Sequence, residues 1–103
     1  MSYYFIASIK IHNQKEYKKY LAKIDEIFSR YKGTYLAVDS QPDVIEGDWN
    51  SDRIVRMSFD TKTNFEDFYY LIEYQGILKH RLNSAYCTSL LVKGKNYHNN
   101  NLN

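Results

Sequence analysis

A chain of 103 residues, 44% apolar and 25% charged, suits one domain with a core of its own, which excludes a two-lobed enzyme and excludes disorder over most of its length. Its 14 Lys/Arg against 12 Asp/Glu leave a net charge of only +2, far from the basic excess that phosphate neutralisation demands, so nucleic acid is not an expected partner. The longest nearly apolar run, residues 3–9, is too short for a bilayer, no basic region opens the chain, and Cys87 has no second cysteine to pair with, so neither membrane nor secretory signal is expected and a reducing, cytoplasmic setting is.

Residues 3–11 alternate, with Tyr3, Phe5, Ala7, Ile9 and Ile11 on one side and Tyr4, Ile6, Ser8 and Lys10 on the other, which is the period of a strand. Asn13 with Glu16 three residues on resembles a capping box. Tyr17, Tyr20, Leu21, Ile24, Ile27, Phe28 and Tyr31 then recur at helical spacing, and Gly33 ends the helix. Residues 34–38 read as a short strand, 39–43 as a turn around Pro42, and 44–49 as another short strand. In residues 53–59, Arg53, Val55, Met57 and Phe59 alternate with Ile54, Arg56 and Ser58, so this is the next strand, linked to its predecessor as a hairpin. Thr63 with Glu66 is a second capping box, opening a helix that carries Phe65, Phe68, Tyr69, Ile72, Tyr74, Ile77, Leu78 and Leu82, with a bend expected at Gly76. Residues 86–93 form the last strand. Residues 1–95 thus make one domain, and 96–103, with five Asn in eight residues, a disordered tail.

This order predicts an α+β, ferredoxin-like sandwich, an antiparallel sheet with two helices on one face. The opposite face is left bare. On the alternation it presents Tyr4, Ile6, Ser8, Tyr35, Ala37, Ile54, Arg56, Ser58, Cys87, Ser89 and Leu91, subject to one-residue slips of register. Such a surface is too apolar for open water, and its simplest cover is a second copy, making a homodimer with sheets facing across a two-fold axis.

Several stretches resemble a known bacterial family. Tyr4-Phe5-Ile6-Ala7, Glu16-Tyr17-Lys18-Lys19-Tyr20, Val44-Ile45-Glu46-Gly47-Asp48-Trp49, Arg53-Ile54-Val55, and Tyr70 to Tyr74-Gln75 followed by Leu78-Lys79-His80-Arg81 are similar to the family called domain of unknown function thirteen-thirty, over residues 3 to about 94. The resemblance implies the dimeric α+β barrel superfamily and no established reaction. Family members often end the strand after the Arg53 position with an acidic residue, Phe and Pro, where this chain has Ser58-Phe59-Asp60. That departure weakens any catalytic part for a strand carboxylate. They also often carry Ser-Pro where this chain has Leu71-Ile72, which implies a more continuous second helix here.

By the same resemblance, Glu46, Trp49, Arg53, Tyr70, Tyr74 and Arg81 line a pocket, in which a carboxylate and guanidinium groups beside aromatic walls orient a small polar or carboxylated molecule. The plainer alternative is a Glu46–Arg53 hairpin ion pair with the Tyr rings packed at the dimer seam. His80 is the best acid or base by its ordinary pKa, against the alternative of a solvated helix face between Lys79 and Arg81. His12 and His98 lie in unlike contexts, and no pair has metal-ligand spacing, so no metal is expected. The superfamily includes haem-degrading and cofactor-free oxygenases, but nothing in the spacing of His80 and Trp49 demands haem, and no cofactor is expected. Cys87 lacks a neighbour that would activate its thiol. An RNA-recognition motif shares the element order, yet Arg53-Ile54-Val55-Arg56-Met57-Ser58-Phe59 lacks its Gly-aromatic pattern. The reading is therefore a homodimer that binds a small, partly apolar organic molecule between the sheet and the second helix. The alternatives are a cofactor-free oxygenase, isomerase or lyase with His80 or Glu46 as proton shuttle, and a purely structural or regulatory dimer.

Overall fold

The computed structural model describes residues 2–95, and the tail expected at 96–103 lies outside the described residues. Alternation in the first segment becomes β1 (Tyr3–Ile11), which buries Phe5, Ala7 and Ile9. Asn13 then caps α1 (Gln14–Phe28), its Oδ1 accepting from the Glu16 N–H at 3.1 Å, and the helix buries Tyr17, Tyr20, Ile24, Ile27 and Phe28 along one stripe. β2 (Gly33–Asp39), β3 (Arg53–Phe59), α2 (Lys62–Tyr69), α3 (Ile72–Ser84) and β4 (Ala85–Lys93) follow. The sheet runs β2-β3-β1-β4 with every neighbouring pair antiparallel. Its inner residues and the apolar stripes of the helices join in one core cluster. This is the ferredoxin-like α+β fold. No helix among the described residues is long and apolar enough to cross a membrane.

Phe68 is the hub of that core. Its ring centroid lies 4.4 Å from Tyr74, 5.2 Å from Phe28 and 5.9 Å from Phe59, so it joins α2 to α3, α1 and β3.

Where the helix after β3 was expected to continue, the structure breaks it at Tyr70 and Leu71 and makes two helices, so three rather than two cover the sheet. The reason is phase. In a continuous helix Tyr74 would point about 120° away from Phe68. An extended Leu71 (ψ 134°) re-aims the chain, so that Phe65, Phe68, Tyr74, Ile77 and Leu78 all face inward and Ile72 is left outside. Gln75 fastens the break by donating from Nε2 to the Tyr69 carbonyl at 2.7 Å. Thr61 rather than Thr63 caps α2, accepting from the Asn64 N–H at 3.0 Å. Gly76 does not interrupt α3.

Three further expectations change. Residues 44–49 form no strand, since Gly47 turns the chain with φ 78°, and the whole 40–52 connection lacks regular structure. α1 stops at Phe28, and Gly33 opens β2 instead of ending the helix. On the sheet, a bulge between Tyr35 and Ala37 turns Tyr35 toward the helices. Cys87, Ser89 and Leu91 pair with Ile9, Ala7 and Phe5 and so also face inward, leaving Tyr86, Thr88, Leu90 and Val92 on the open face. Both sets of β4 residues are equally mixed in polarity, and buried Ala85, the first residue after α3, sets the phase.

The two glycines make opposite predictions. A Cβ at Gly33 would meet ring carbons of buried Phe28 and Phe59 at 2.7 Å, whereas one at Gly76 meets nothing within 4 Å. Gly33→Ala is expected to lower stability by about 1–3 kcal/mol through overpacking. Gly76→Ala should raise it by about 0.5–1 kcal/mol through helix propensity. Urea unfolding at constant m-value reads both, and shifts of the same sign would contradict the packing described.

Candidate functional site

Between the helix layer and the inner face of the sheet lies a cavity of about 20 Å³, walled by apolar side chains of β1 and β3 together with Tyr17, Tyr20, Tyr35, Arg53 and Arg81. A space of this order admits a water or one small polar head group. Tyr17 and Arg53 also line a surface cleft of about 220 Å³, shared with Ile11, Gln14, Leu21, Ser40 and Asp52. These two side chains therefore border both spaces.

Each cavity residue is placed by its element. Tyr17 and Tyr20 stand one turn apart in the buried stripe of α1. Arg81 belongs to the buried stripe of α3, after Tyr74, Ile77 and Leu78, so a cation occupies a position where the spacing calls for an apolar side chain. Arg53 is the first residue of β3, opposite Ile9 of β1. Its neighbour Asp52 holds it there. The Asp52 N–H donates to the Ile9 carbonyl at 2.8 Å, and its carboxylate accepts from the Ile11 N–H at 2.8 Å and from Lys10 Nζ at 3.3 Å.

Three polar atoms around the cavity are unsatisfied. Arg81 is 3% exposed and Tyr17 1%. The Tyr17 hydroxyl and the Nε atoms of Arg53 and Arg81 are buried without a hydrogen-bond partner. Among the described residues no carboxylate pairs with either arginine, every ion pair lying elsewhere. The other phenols are engaged, Tyr20 and Tyr74 with each other at 2.9 Å and Tyr35 by donating to Asp25 Oδ1 at 3.2 Å. Burial pushes the Tyr17, Tyr20 and Tyr35 hydroxyls above the ordinary phenol value, so all are neutral at pH 7. Burial is the largest influence on Arg81 and opposes its charge; the opposing pull of Tyr74 and Tyr20, which on balance raises its pKa, is coulombic and needs phenolates, and Tyr20 is not one at pH 7. The guanidinium carbon lies 5.4 Å from the Tyr20 ring centroid, a modest attraction that supplies no counter-charge.

The remaining residues singled out in the sequence lie elsewhere. Tyr74 stands behind Tyr20, one hydrogen bond from the cavity. Tyr70 is exposed at the break between α2 and α3. Glu46 and Trp49 are on the other side of the sheet, where the 40–52 connection and Ile6, Ser8 and Ile54 enclose an open cleft of about 480 Å³. Glu46 and Arg53 make no ion pair, since the sheet separates them. His80 Nδ1 lies 2.6 Å from Glu16 Oε2 on the partly exposed seam of α3 and α1. Hydrogen bonds from His80 and then Lys19 hold the Glu16 carboxyl below its usual value. No three His, Cys, Asp or Glu side chains among the described residues come close enough to hold a metal ion. Volume favours the 480 Å³ cleft, but none of the unsatisfied polar atoms lies there. The cavity is where polar groups have left water without a replacement, and that cost marks it as the candidate site.

Residues 2–95 match the family described as Domain of unknown function (DUF1330). The chain belongs to this family. No curated protein matches the sequence significantly. Among solved structures, the DUF1330 chain is similar to RPA0582, a protein of unknown function from Rhodopseudomonas palustris, with 13% identity, a TM-score of 0.76, and coverage of 92% of this chain and 83% of that one. A dimeric ferredoxin-like protein of unknown function from Jannaschia sp. CCS1 gives 9% identity and a TM-score of 0.77, covering 91% of this chain and 100% of that one. SnoaB, a cofactor-independent oxygenase from Streptomyces nogalater, gives 9% identity and a TM-score of 0.68, covering 92% and 94%. At such identities the likeness is one of fold.

In this DUF1330 chain, sequence reasoning named Arg53 and Arg81 but passed over Tyr17, Tyr20 and Tyr35 as site residues. A phenol in a helix stripe looks like ordinary core, and the available signal was that three of the cavity's wall residues are Tyr rather than Phe or Leu. An unpaired buried cation is held at a cost, so Arg81→Met, which keeps the volume and removes the charge, is expected to stabilise the ligand-free protein. Its urea midpoint should exceed that of the parent, and a lower one would mean that Arg81 holds the fold together.

Proposed function

We propose that this protein binds a small, partly apolar organic molecule, seated in the surface cleft beside α1 with its polar end in the cavity between the sheet and the helix layer. The observation that carries this reading is the set of three buried, unpartnered polar atoms around a space too small for more than one group. Cavity and cleft both fall below the ~300–1,000 Å³ of drug-sized sites, which favours a small metabolite. Arg53, Arg81 and Tyr17 are the proposed contacts, with Tyr20 and Tyr74 behind them. SnoaB invites an oxygenase reading, but the proton carriers that sequence reasoning offered, His80 and Glu46, stand away from this cavity. Binding is the better supported function.

The proposed assembly is a cytoplasmic homodimer joined through the open sheet face. Ile6 and Ile54 lie there beside exposed Leu90 and Val92, with Arg56 over the Tyr4 ring at 4.5 Å, and the similar Jannaschia protein is described as dimeric. The lone unpaired Cys87 fits a reducing compartment.

Two experiments test these statements. With isotope-labelled protein, hits from a library of small polar aromatic and aliphatic compounds should shift the amide signals of Tyr17, Arg53 and Arg81. Shifts confined to Ile6, Ile54 and Trp49, or none at all, would refute the cavity as the site. In sedimentation at micromolar concentration the protein should run as a dimer, burying more than ~1,200 Å² in total, and Ile54→Lys should release monomers. A monomeric parent protein would end the dimer proposal.

A further inference from the structure

We propose that the polar end accepted by the cavity is a single carboxylate, so that the ligand class is small organic monoacids; this rests on the ligand-binding reading above. Charge comes first. Arg81 is nine-tenths buried with no carboxylate to pair with, and the phenols around it are neutral, so the protein itself leaves one positive charge uncompensated inside the fold. Arg53 is only partly buried and also lines the surface cleft. The charge deficit at the closed end is therefore one, which a monoanion removes and a dianion overshoots.

Shape and donors then separate carboxylate from phosphate. A carboxylate, with two oxygens, suits a space of about 20 Å³ better than the larger phosphate group. Guanidinium groups present parallel N–H donors that match two carboxylate oxygens. The walls contribute no lysine and no glycine, which are usual fittings of a phosphate site. The Tyr17 hydroxyl is protonated and unpartnered, and supplies a further donor. Behind the head group, Ile11 and Leu21 in the cleft give an apolar body somewhere to lie.

The test is isothermal titration at fixed pH and ionic strength with benzoate, benzamide, benzyl alcohol, hexanoate, hexanamide and methylphosphonate. The acids should bind at least about tenfold more tightly than their amides and alcohol, the difference expected for hydrogen bonds to a charged group. Arg81→Met should erase that preference, weakening the acids at least about tenfold more than the amides, and Arg53→Met, at a partly exposed position, provides the same comparison of acid with amide should the first variant fold poorly. Equal affinity for benzoate and benzamide would overturn the monoacid inference and leave the cavity reading standing. Preference for methylphosphonate would replace carboxylate by phosphate chemistry. Silence of all six probes beside hits from uncharged members of the compound library would remove the inference alone, and silence of both would remove the binding reading as well.

Discussion

The structure depends on one constraint, that β1 has a neighbour on each edge and can hide its side chains only above or below the sheet. Its period of two sends Phe5, Ala7 and Ile9 one way and Tyr4, Ile6 and Ser8 the other. β3 follows the same division through its pairing with β1, placing Val55, Met57 and Phe59 inside. With all three helices packed against that one layer, the two faces acquire different chemistry. One closes over an aromatic core with a small polar hollow, and the other stays a broad mixed surface under a loop.

Within the closed half, three buried tyrosines share the core with five phenylalanines. The rings of Tyr17, Tyr20 and Tyr74 pack as apolar bodies, and each brings a hydroxyl that must be satisfied or left at a cost. Tyr20 and Tyr74 solve the problem between themselves, and Tyr35 solves it with Asp25. Tyr17 does not, and neither do the Nε atoms of Arg53 and Arg81. Unsatisfied groups scattered through a core would be packing errors, whereas these share one cavity wall, which is why they read as a place prepared for a visitor.

The element types were largely legible in the chain because strict alternation in residues 3–11 and 53–59 and helical spacing after Asn13 admit few other structures. What failed was phase. Ala85, Cys87, Ser89 and Leu91 are no more apolar than Tyr86, Thr88, Leu90 and Val92, so β4 offered no preferred side until Ala85 was seen to follow α3 directly. The helix break at Leu71 carries no proline or glycine, and only the need to bury both Phe68 and Tyr74 explains it. The site shared this limit. Arg53 and Arg81 line the same cavity, whereas Glu46 and Trp49 belong to a loop whose side of the sheet no local pattern specifies.

Asp52 has a consequence for how this protein tolerates change. Its backbone and carboxylate both grip β1, at Ile9, Lys10 and Ile11, immediately before Arg53. The preceding stretch around Pro42 and Gly47 is mostly exposed and carries no ladder bonds. It behaves as a ribbon sewn down at its last stitch. Insertions or wholesale exchange of that ribbon would reshape the outer face of the sheet while the guanidinium on the far side kept its address, so the two surfaces are free to diverge at different rates.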